Sequence, residues 1–167
     1  VGVAYSEKYM NSQKVLYSYF PTHVRLDSPA IYHGTFELDA SRNHLVKSSQ
    51  NETVLNKLGE IAVRLSDHLA NSCSIDEDRK LDAFKILNLL KIDVESAMMN
   101  PLAESIKKNL DKVKVFPTAH NGKQSISTAI WISKPLAAWL EINESLIPQN
   151  SMMSNHLTSK CEPFFDD

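Results

Sequence analysis

Residues 51–70 have the sequence NETVLNKLGEIAVRLSDHLA, in which apolar side chains recur at steps of three and four. This period places them on one stripe of an α-helix that packs against a core. The stripe consists of Val54, Leu55, Leu58, Ile61, Ala62, Leu65 and Leu69. Asn51 is the predicted N-cap, and Glu52 lies near the positive end of the helix. We therefore expect a helix from Asn51 to about Ala70.

The segment before this helix has the pattern of β-strands. Residues 1–5 and 15–20 are apolar and aromatic runs. Pro21 is expected to stop the second run, because proline cannot donate to a sheet ladder. Residues 30–38 alternate between a core-like side and a polar side. The core-like side of this predicted strand consists of Tyr32, Gly34, Phe36 and Leu38.

Two further helices are predicted after the first. Ser74 or Asp76 can cap a helix that ends near Leu90. Another helix is predicted after Pro101, because proline is favoured at the first helical position. Its predicted inward-facing residues are Leu102, Ile106 and Leu110.

The sequence of the last part of the chain predicts smaller secondary-structure elements. Residues 112–116 and 124–126 have strand patterns, and the turn-forming stretch 119–123 between them predicts a small hairpin. Residues 135–142 predict a short helix, and residues 148–167 are polar and predict a flexible tail.

A strand-rich part followed by a helical part predicts an α/β (α+β) fold, with a small mixed sheet packed by helices. The boundary between the two parts is predicted near residues 71–74. No methionine precedes Val1, and residues 1–5 have the pattern of a strand entered in mid-course, so we expect a piece of a longer protein.

The composition indicates a folded protein: 43% of the residues are hydrophobic and 23% are charged. A formal net charge of -2 gives no reason to expect direct nucleic-acid or membrane partners. No apolar run is long enough to span a membrane and no leader opens the chain, so a cytoplasmic location is expected. Cys73 and Cys161 lack zinc-ligand spacing, and residues 51–53 and 143–145 fit the glycosylation triplet.

Familiar catalytic and metal-binding motifs are absent from the sequence. There is no GxxxxGK[ST] phosphate loop, no GxGxxG turn, no GxSxG elbow and no HExxH helix. The six histidines show no ligand-like pairing, so no metal site is expected. Trp131 and Trp139 lie among apolar neighbours and are expected in the core rather than in a ligand platform.

Arg42 is the main candidate functional residue. It follows a predicted strand and a short polar turn, where loops commonly place functional side chains. A guanidinium at this position can clamp phosphate oxygens with two parallel hydrogen bonds. The alternative for Arg42 is a surface salt bridge. A different possibility is acid/base chemistry by His33, Glu37 and His44.

Two stretches resemble a known family. Residues 16–22, LYSYFPT, and residues 31–45, IYHGTFELDASRNHL, are similar to the GHKL ATPases related to the large heat-shock chaperone and to sacsin. Residues 113–132 more loosely resemble a later segment of bacterial sacsin-like proteins. The resemblance implies that a basic side chain in a middle, or transducer, domain reaches the terminal phosphate of ATP. Arg42 matches that position, and Asn43 is a weaker candidate in the same loop.

The resemblance also implies the setting in which Arg42 acts. ATP and Mg would be held mainly by an absent N-terminal domain, so neither is expected in this chain alone, and the chain would not be an active ATPase by itself. Residues 1–72 would form a transducer-like domain with a ribosomal-protein-like βαβ module. Residues 73–147 would form a helical and small-hairpin extension, followed by the tail at residues 148–167.

Three functions follow as hypotheses. The first is a nucleotide-sensing middle-domain fragment whose partners are the upstream nucleotide-binding domain and a possible protein client, with an oligomer possible. The second is a protein-interaction or scaffold domain without a catalytic role, in which Arg42 is structural. The third is a small enzyme that uses His33, Glu37 and His44.

Overall fold

The structure is a computed structural model that describes residues 1–5, 14–26, 28–72, 83, 86, 87, 98–117 and 123–130. Its elements are β1 (Gly2–Tyr5), β2 (Val15–Ser18), β3 (Phe20–Arg25), β4 (Ala30–His33), α1 (Ser49–Ser72), α2 (Asn100–Leu110), β5 (Phe116–Pro117) and β6 (Lys123–Gln124). The predicted helix at residues 135–142, the tail at residues 148–167 and both tryptophans lie outside the described residues. So does most of the helix predicted to end near Leu90, of which residues 83, 86 and 87 are described and helical.

The first four strands form one mixed sheet in the order β1-β4-β2-β3. Strand β4 is antiparallel to β1 and parallel to β2, while β2 and β3 are antiparallel. The parallel pair arises because β3 lies beyond β2 and the chain then returns to place β4 on the other side of β2. These parallel strands are thus connected through β3 rather than through a helix. The predicted α+β class is confirmed.

The chain turns between β2 and β3 at Tyr19, which has a φ of 61°. Pro21 lies inside β3, so the prediction that it stops a strand was wrong. The physical reason is that β3 is an edge strand of the sheet, and an edge strand tolerates a residue that lacks an N–H donor. The β2–β3 register shifts between Val15 and Tyr17, and there the hydroxyl of Thr22 donates to the Leu16 carbonyl over 2.8 Å.

The alternation predicted for residues 30–38 is present. Tyr32, Gly34 and Phe36 are buried, whereas the residues between them are exposed. The buried hydroxyl of Tyr32 donates to the Ile86 carbonyl over 3.2 Å, and burial raises the pKa of this phenol. Regular sheet pairing ends at His33, so the alternation continues beyond strand β4.

Helix α1 begins at Ser49, two residues earlier than predicted. Ser48 has the N-cap role: its Oγ accepts from the Asn51 N–H over 3.2 Å, and its carbonyl accepts from the Glu52 N–H over 3.0 Å. The assignment of Asn51 as N-cap was therefore wrong. The sequence does not separate Asn51 from Ser48, because asparagine and serine are both good caps and the two residues are three positions apart.

Helix α2 packs along α1 and confirms the helix predicted after Pro101. Its predicted inward residues Leu102, Ile106 and Leu110 are buried. The helices approach closely at Gly59, where an added Cβ would lie 2.6 Å from the Ser105 Cβ. The hydroxyl of Ser105 donates to the Asn56 carbonyl over 2.6 Å, so a hydrogen bond accompanies the close packing.

A two-stranded sheet of β5 and β6 follows, with Phe116 opposite Gln124. An antiparallel strand pair is present where the hairpin was predicted, but its strands begin at Phe116 and Lys123 rather than at residues 112 and 124. Residues 118–122, which include most of the predicted turn, lie outside the described residues. The buried core contains residues from both sides of the predicted boundary at residues 71–74, and the domain division stays a prediction. Among the described helices, none is long and apolar enough to cross a membrane.

Candidate functional site

The segment that connects the sheet to α1 folds back on itself at residues 39–44, which we call the arginine loop. Leu38 and Leu45 form an isolated antiparallel bridge at its base. The Asp39 N–H donates to the His44 carbonyl over 2.9 Å, and the Arg42 N–H donates to the Asp39 carbonyl over 2.9 Å. The backbone of the arginine loop is therefore closed by its own hydrogen bonds.

The carboxylate of Asp39 organises the inside of the arginine loop. It accepts from the Ser41 hydroxyl at 2.8 Å to both oxygens, from the Asn43 N–H at 3.1 Å and from the His44 N–H at 3.3 Å. These bonds, led by the one from Ser41, lower the pKa of Asp39 to about 2. Asp39 is therefore ionised at neutral pH, and its carboxylate fixes the conformation of the loop.

Arg42 lies at the tip of this arrangement with a φ of 59°, a left-handed conformation that is uncommon for a residue with a side chain. Its side chain is exposed. Within the described part of the chain, no carboxylate lies within ion-pair distance of its guanidinium. The surface salt bridge that was the alternative for Arg42 is not formed among these residues.

Asn43, the second predicted site residue, holds the arginine loop against the sheet. Its carbonyl accepts from the His23 N–H over 2.9 Å, which joins the loop to edge strand β3. The imidazoles of His23 and His44 meet edge to face with centroids 5.5 Å apart. Arg42 and Asn43 are therefore adjacent on one structured loop, and the backbone carbonyl of Asn43 connects that loop to β3.

The residues of the acid/base hypothesis are divided among different contacts. His33 packs edge to face against Tyr19 with centroids 6.2 Å apart, whereas His44 contacts His23 and Asp39. The Glu37 side chain is exposed, and its backbone N–H and carbonyl both bond to the Asn51 side chain. No described contact joins His33, Glu37 and His44 into one acid/base site.

Asn51 has a structural role that the sequence did not indicate. Its amide oxygen accepts from the Glu37 N–H over 2.9 Å, and its amide nitrogen donates to the carbonyls of Glu37 and Val46 over 2.8 Å each. It is only 3% exposed. These three bonds tie the first turn of α1 to both sides of the arginine loop, and a buried, fully bonded amide is not a glycosylation acceptor.

A small pocket of about 240 Å³ lies beside the arginine loop, at the start of α1. It was missed by sequence reasoning because its walls come from segments far apart in the chain. Its lining residues are Leu45, Val46, Lys47, Ser48, Asn51, Glu52, Leu55, Met98 and Pro101. The Asn51 amide is already bonded within the protein, so the pocket presents mainly apolar surface.

The described residues do not form a complete site for Mg and ATP. No group of three His, Cys, Asp or Glu side chains that could hold a metal occurs among them. The Asp39 carboxylate is occupied by its own loop, and the neighbouring pocket is mainly apolar. What this region offers to a nucleotide is one guanidinium, which suits a phosphate oxygen.

Comparisons of the chain with protein-family models, with curated proteins and with solved structures find no match. The likeness of residues 16–22 and 31–45 to GHKL ATPases therefore stays a prediction.

Proposed function

We propose that this chain is the middle, or transducer, region of a GHKL-type ATP-binding protein that is sacsin-like or heat-shock-chaperone-like. ATP and Mg are held mainly by an upstream nucleotide-binding domain of the same cytoplasmic protein. Arg42 contributes a guanidinium to the terminal phosphate, and the chain relays the nucleotide state to its helices. The support comes from the resemblance of residues 31–45 together with the geometry of the arginine loop.

The observation that carries the proposal is the availability of Arg42. Its side chain is exposed and has no ion-pair partner among the described residues. The carboxylate nearest in sequence, Asp39, is occupied by Ser41 and by two backbone N–H groups. A permanent positive charge on a hydrogen-bonded loop suits a role in stabilising charge that develops on a transferred phosphoryl group.

The connection from the arginine loop to α1 supports the proposed relay. Asn51 belongs to the first turn of α1 and bonds to Glu37 before the loop and to Val46 after it. Helix α1 in turn packs closely on α2 at Gly59 and Ser105. A displacement of the arginine loop by a phosphate would therefore move the start of α1 relative to its helical partner.

The test is ATP turnover by the full-length protein that contains this chain. Replacing Arg42 by alanine is expected to lower turnover at least tenfold while ATP binding is retained, because the guanidinium acts mainly on developing charge. Arg42→Lys should recover only part of the activity, since lysine lacks the bidentate fork.

Arg64→Ala is the matched control, because Arg64 is also an exposed guanidinium but lies on α1, outside the arginine loop and the lining of the pocket beside it. Its turnover should stay within about twofold of the unchanged protein, since removing a surface charge away from the reacting groups has little effect. Unchanged turnover in the Arg42→Ala protein would contradict the proposal. A full reading frame without an upstream nucleotide-binding domain would contradict it as well.

A protein-interaction domain is the second candidate function, and one observation favours it. Tyr19 and Phe20, at the turn between β2 and β3, are each 75% exposed. Exposed neighbouring aromatic residues are typical of contact surfaces for proteins. This role does not exclude a part in nucleotide sensing, because the turn and the arginine loop are different segments.

A further inference from the structure

The pocket at the start of α1 lies between parts of the chain that are held by other contacts. Residues 45–48 and the first two turns of α1 form part of its lining, and Met98 and Pro101, near the start of α2, form the rest. Leu55 is 1% exposed, and the Asn51 side chain bonds to backbone on both sides of the arginine loop. The fold itself therefore sets the shape of the pocket, as is usual for ligand sites.

The lining of the pocket is mainly apolar, and part of it is left uncovered. Leu45, Val46, Leu55 and Pro101 contribute apolar side chains. Met98 lines the pocket and is 39% exposed, so it lies where the pocket opens to solvent. A methionine side chain adapts its shape and its sulfur makes favourable contacts with the edges of aromatic rings. The lining therefore favours an apolar ligand with an aromatic body.

The polar groups of the lining favour a neutral ligand. Lys47 and Glu52 are the ionisable residues that line the pocket, and both are exposed and have opposite charges. The Asn51 amide is bonded within the protein. The Ser48 hydroxyl accepts from the Asn51 N–H over 3.2 Å, and its own proton has no acceptor among the described residues. The pocket therefore offers one hydrogen-bond donor and no net charge.

The volume of the pocket limits the size of the ligand. An engineered apolar cavity of about 150 Å³ binds benzene, and pockets for drug-sized molecules usually have about 300 to 1,000 Å³. At about 240 Å³, this pocket lies between those sizes. It therefore has room for two fused rings, whereas a single ring would leave space and a nucleotide would not fit.

We propose that this pocket binds a neutral aromatic molecule of two fused rings that carries one hydrogen-bond acceptor. The rings pack between Leu55 and Met98, and the acceptor receives the hydrogen bond of the Ser48 hydroxyl. Binding covers the exposed part of Met98 and removes apolar surface from water. The inference is independent of the role proposed for Arg42, because no residue of the arginine loop lines the pocket.

The test follows the amide chemical shifts of the protein during titration with quinoline, which has two fused rings and one acceptor nitrogen. Pyridine and a phenanthroline, with one and three rings, test the size of the pocket. Indole is similar in size but its nitrogen donates rather than accepts, and naphthoate adds a negative charge. Quinoline should bind with a Kd of about 1 mM or below, as expected for roughly ten non-hydrogen atoms, and at least threefold more tightly than each comparison probe.

Two variants and a control locate the site. Val46→Phe should weaken quinoline binding at least tenfold, because the larger side chain fills the pocket while the backbone bonds of Val46 are kept. Met98→Ala, at an exposed position that the fold tolerates, should weaken it at least threefold. Ile130→Ala is the matched control, because Ile130 is also 39% exposed and does not line the pocket. The amide spectrum of each variant verifies that the fold is intact.

A third variant tests the hydrogen bond. Ser48→Ala should lower the affinity for quinoline to that for indole and leave the affinity for indole unchanged, because only quinoline accepts the Ser48 proton. Indole serves as the internal control, since any loss of the helix cap in this variant affects both ligands equally. An advantage of quinoline that persists in Ser48→Ala would contradict the proposed donor.

Several results would overturn the proposal. These are no saturable binding of quinoline, equal binding of pyridine or the phenanthroline, and tighter binding of naphthoate. Chemical shift changes centred away from residues 45–55 and Met98, or equal weakening by Met98→Ala and Ile130→Ala, would place the ligand elsewhere and contradict it as well. None of these outcomes bears on ATP turnover by the Arg42 variants, so the two proposals fail separately.

Discussion

The pair of helices α1 and α2 and the arginine loop are held in opposite ways. The helices pack through buried apolar side chains and a close approach at Gly59, where even a methyl group would meet Ser105. The arginine loop is held by hydrogen bonds to one carboxylate, Asp39, and its side chains remain largely exposed. The difference shows how one small fold can combine a rigid base with an accessible charged group.

Asn51 is the point at which the two regions meet. It is buried in α1, yet all three of its side-chain bonds go to backbone groups on either side of the arginine loop. The loop therefore takes its position from the packed helix and from the bond between the Asn43 carbonyl and the His23 N–H on β3. Its internal shape comes from the Asp39 carboxylate and from its own backbone hydrogen bonds. Changes in the two regions should have separable effects on stability and on function.

The largest expected effect is on the packed region. Leu58→Ala should lower the free energy of unfolding by about 3 kcal/mol, because Leu58 is fully buried and the deletion leaves a cavity. Phe20→Ala, at an exposed apolar position, should change it by less than about 0.5 kcal/mol. Urea unfolding followed by circular dichroism measures both. Similar losses for the two variants would show that the core is not centred on α1.

The next largest effect on stability is expected at Asn51, where α1 meets the arginine loop. Asn51→Ala should cost about 2 kcal/mol, because the Glu37 N–H and the Val46 carbonyl lose the Asn51 amide as their partner, while the Glu37 carbonyl keeps its bond from the Val46 N–H. Thr53→Ala is the control: among the described residues its exposed hydroxyl donates to the Ser49 carbonyl within its own helix, so the change should be about 0.5 kcal/mol or less. Equal values for the two variants in urea unfolding would remove Asn51 from its proposed role.

A smaller effect tests the close approach of the helices. Gly59→Ala should destabilise the protein by about 1 kcal/mol, since crowding against Ser105 and the Leu102 carbonyl outweighs the better helix propensity of alanine. Gly2→Ala is the matched control, because an added Cβ meets nothing within 4 Å there. Thermal unfolding compares the two. A stabilised Gly59→Ala protein would show that α1 and α2 are farther apart than described.

The smallest effect concerns the arginine loop and pH. Because the folded pKa of Asp39 is lowered to about 2, its ionised form contributes stability that is present above its ordinary pKa, near 4, and is lost as pH falls toward 2. Ser41→Ala should raise this pKa toward the ordinary value, since Ser41 is the largest cause of the shift. Carboxyl NMR titration measures it, and an unchanged pKa would contradict the described hydrogen bonds.

The sequence predicted much of the packed region, because apolar periodicity reports burial directly. The inward face of α2 is buried as expected, and in the predicted stripe of α1 Leu55, Leu58 and Ala62 are buried. The other four residues of that stripe are half-buried. The stripe omitted Gly59, Val63, Ser66 and Ala70, which are also buried. Small and polar residues carry little periodic signal, and their burial depends on partners such as Ser105 that lie far away in the chain.

The arginine loop was predicted less completely. Its position between a strand and a helix, and an exposed Arg42, follow from the sequence pattern. The roles of Asp39 and Asn51 do not, because hydrogen bonds between a side chain and backbone leave no periodic trace. Pro21 gives a similar lesson, since proline excludes a central strand but not the edge strand in which it lies.

The central claim is that Asp39 holds the arginine loop so that Arg42 can act on a phosphate. The most direct test is a double-mutant cycle on ATP turnover by the full-length protein, with Arg42→Ala, Asp39→Ala and both together. If Asp39 acts only through Arg42, the double variant should be no slower than Arg42→Ala alone. Losses that multiply, or turnover that is unaffected by Arg42→Ala, would contradict the account.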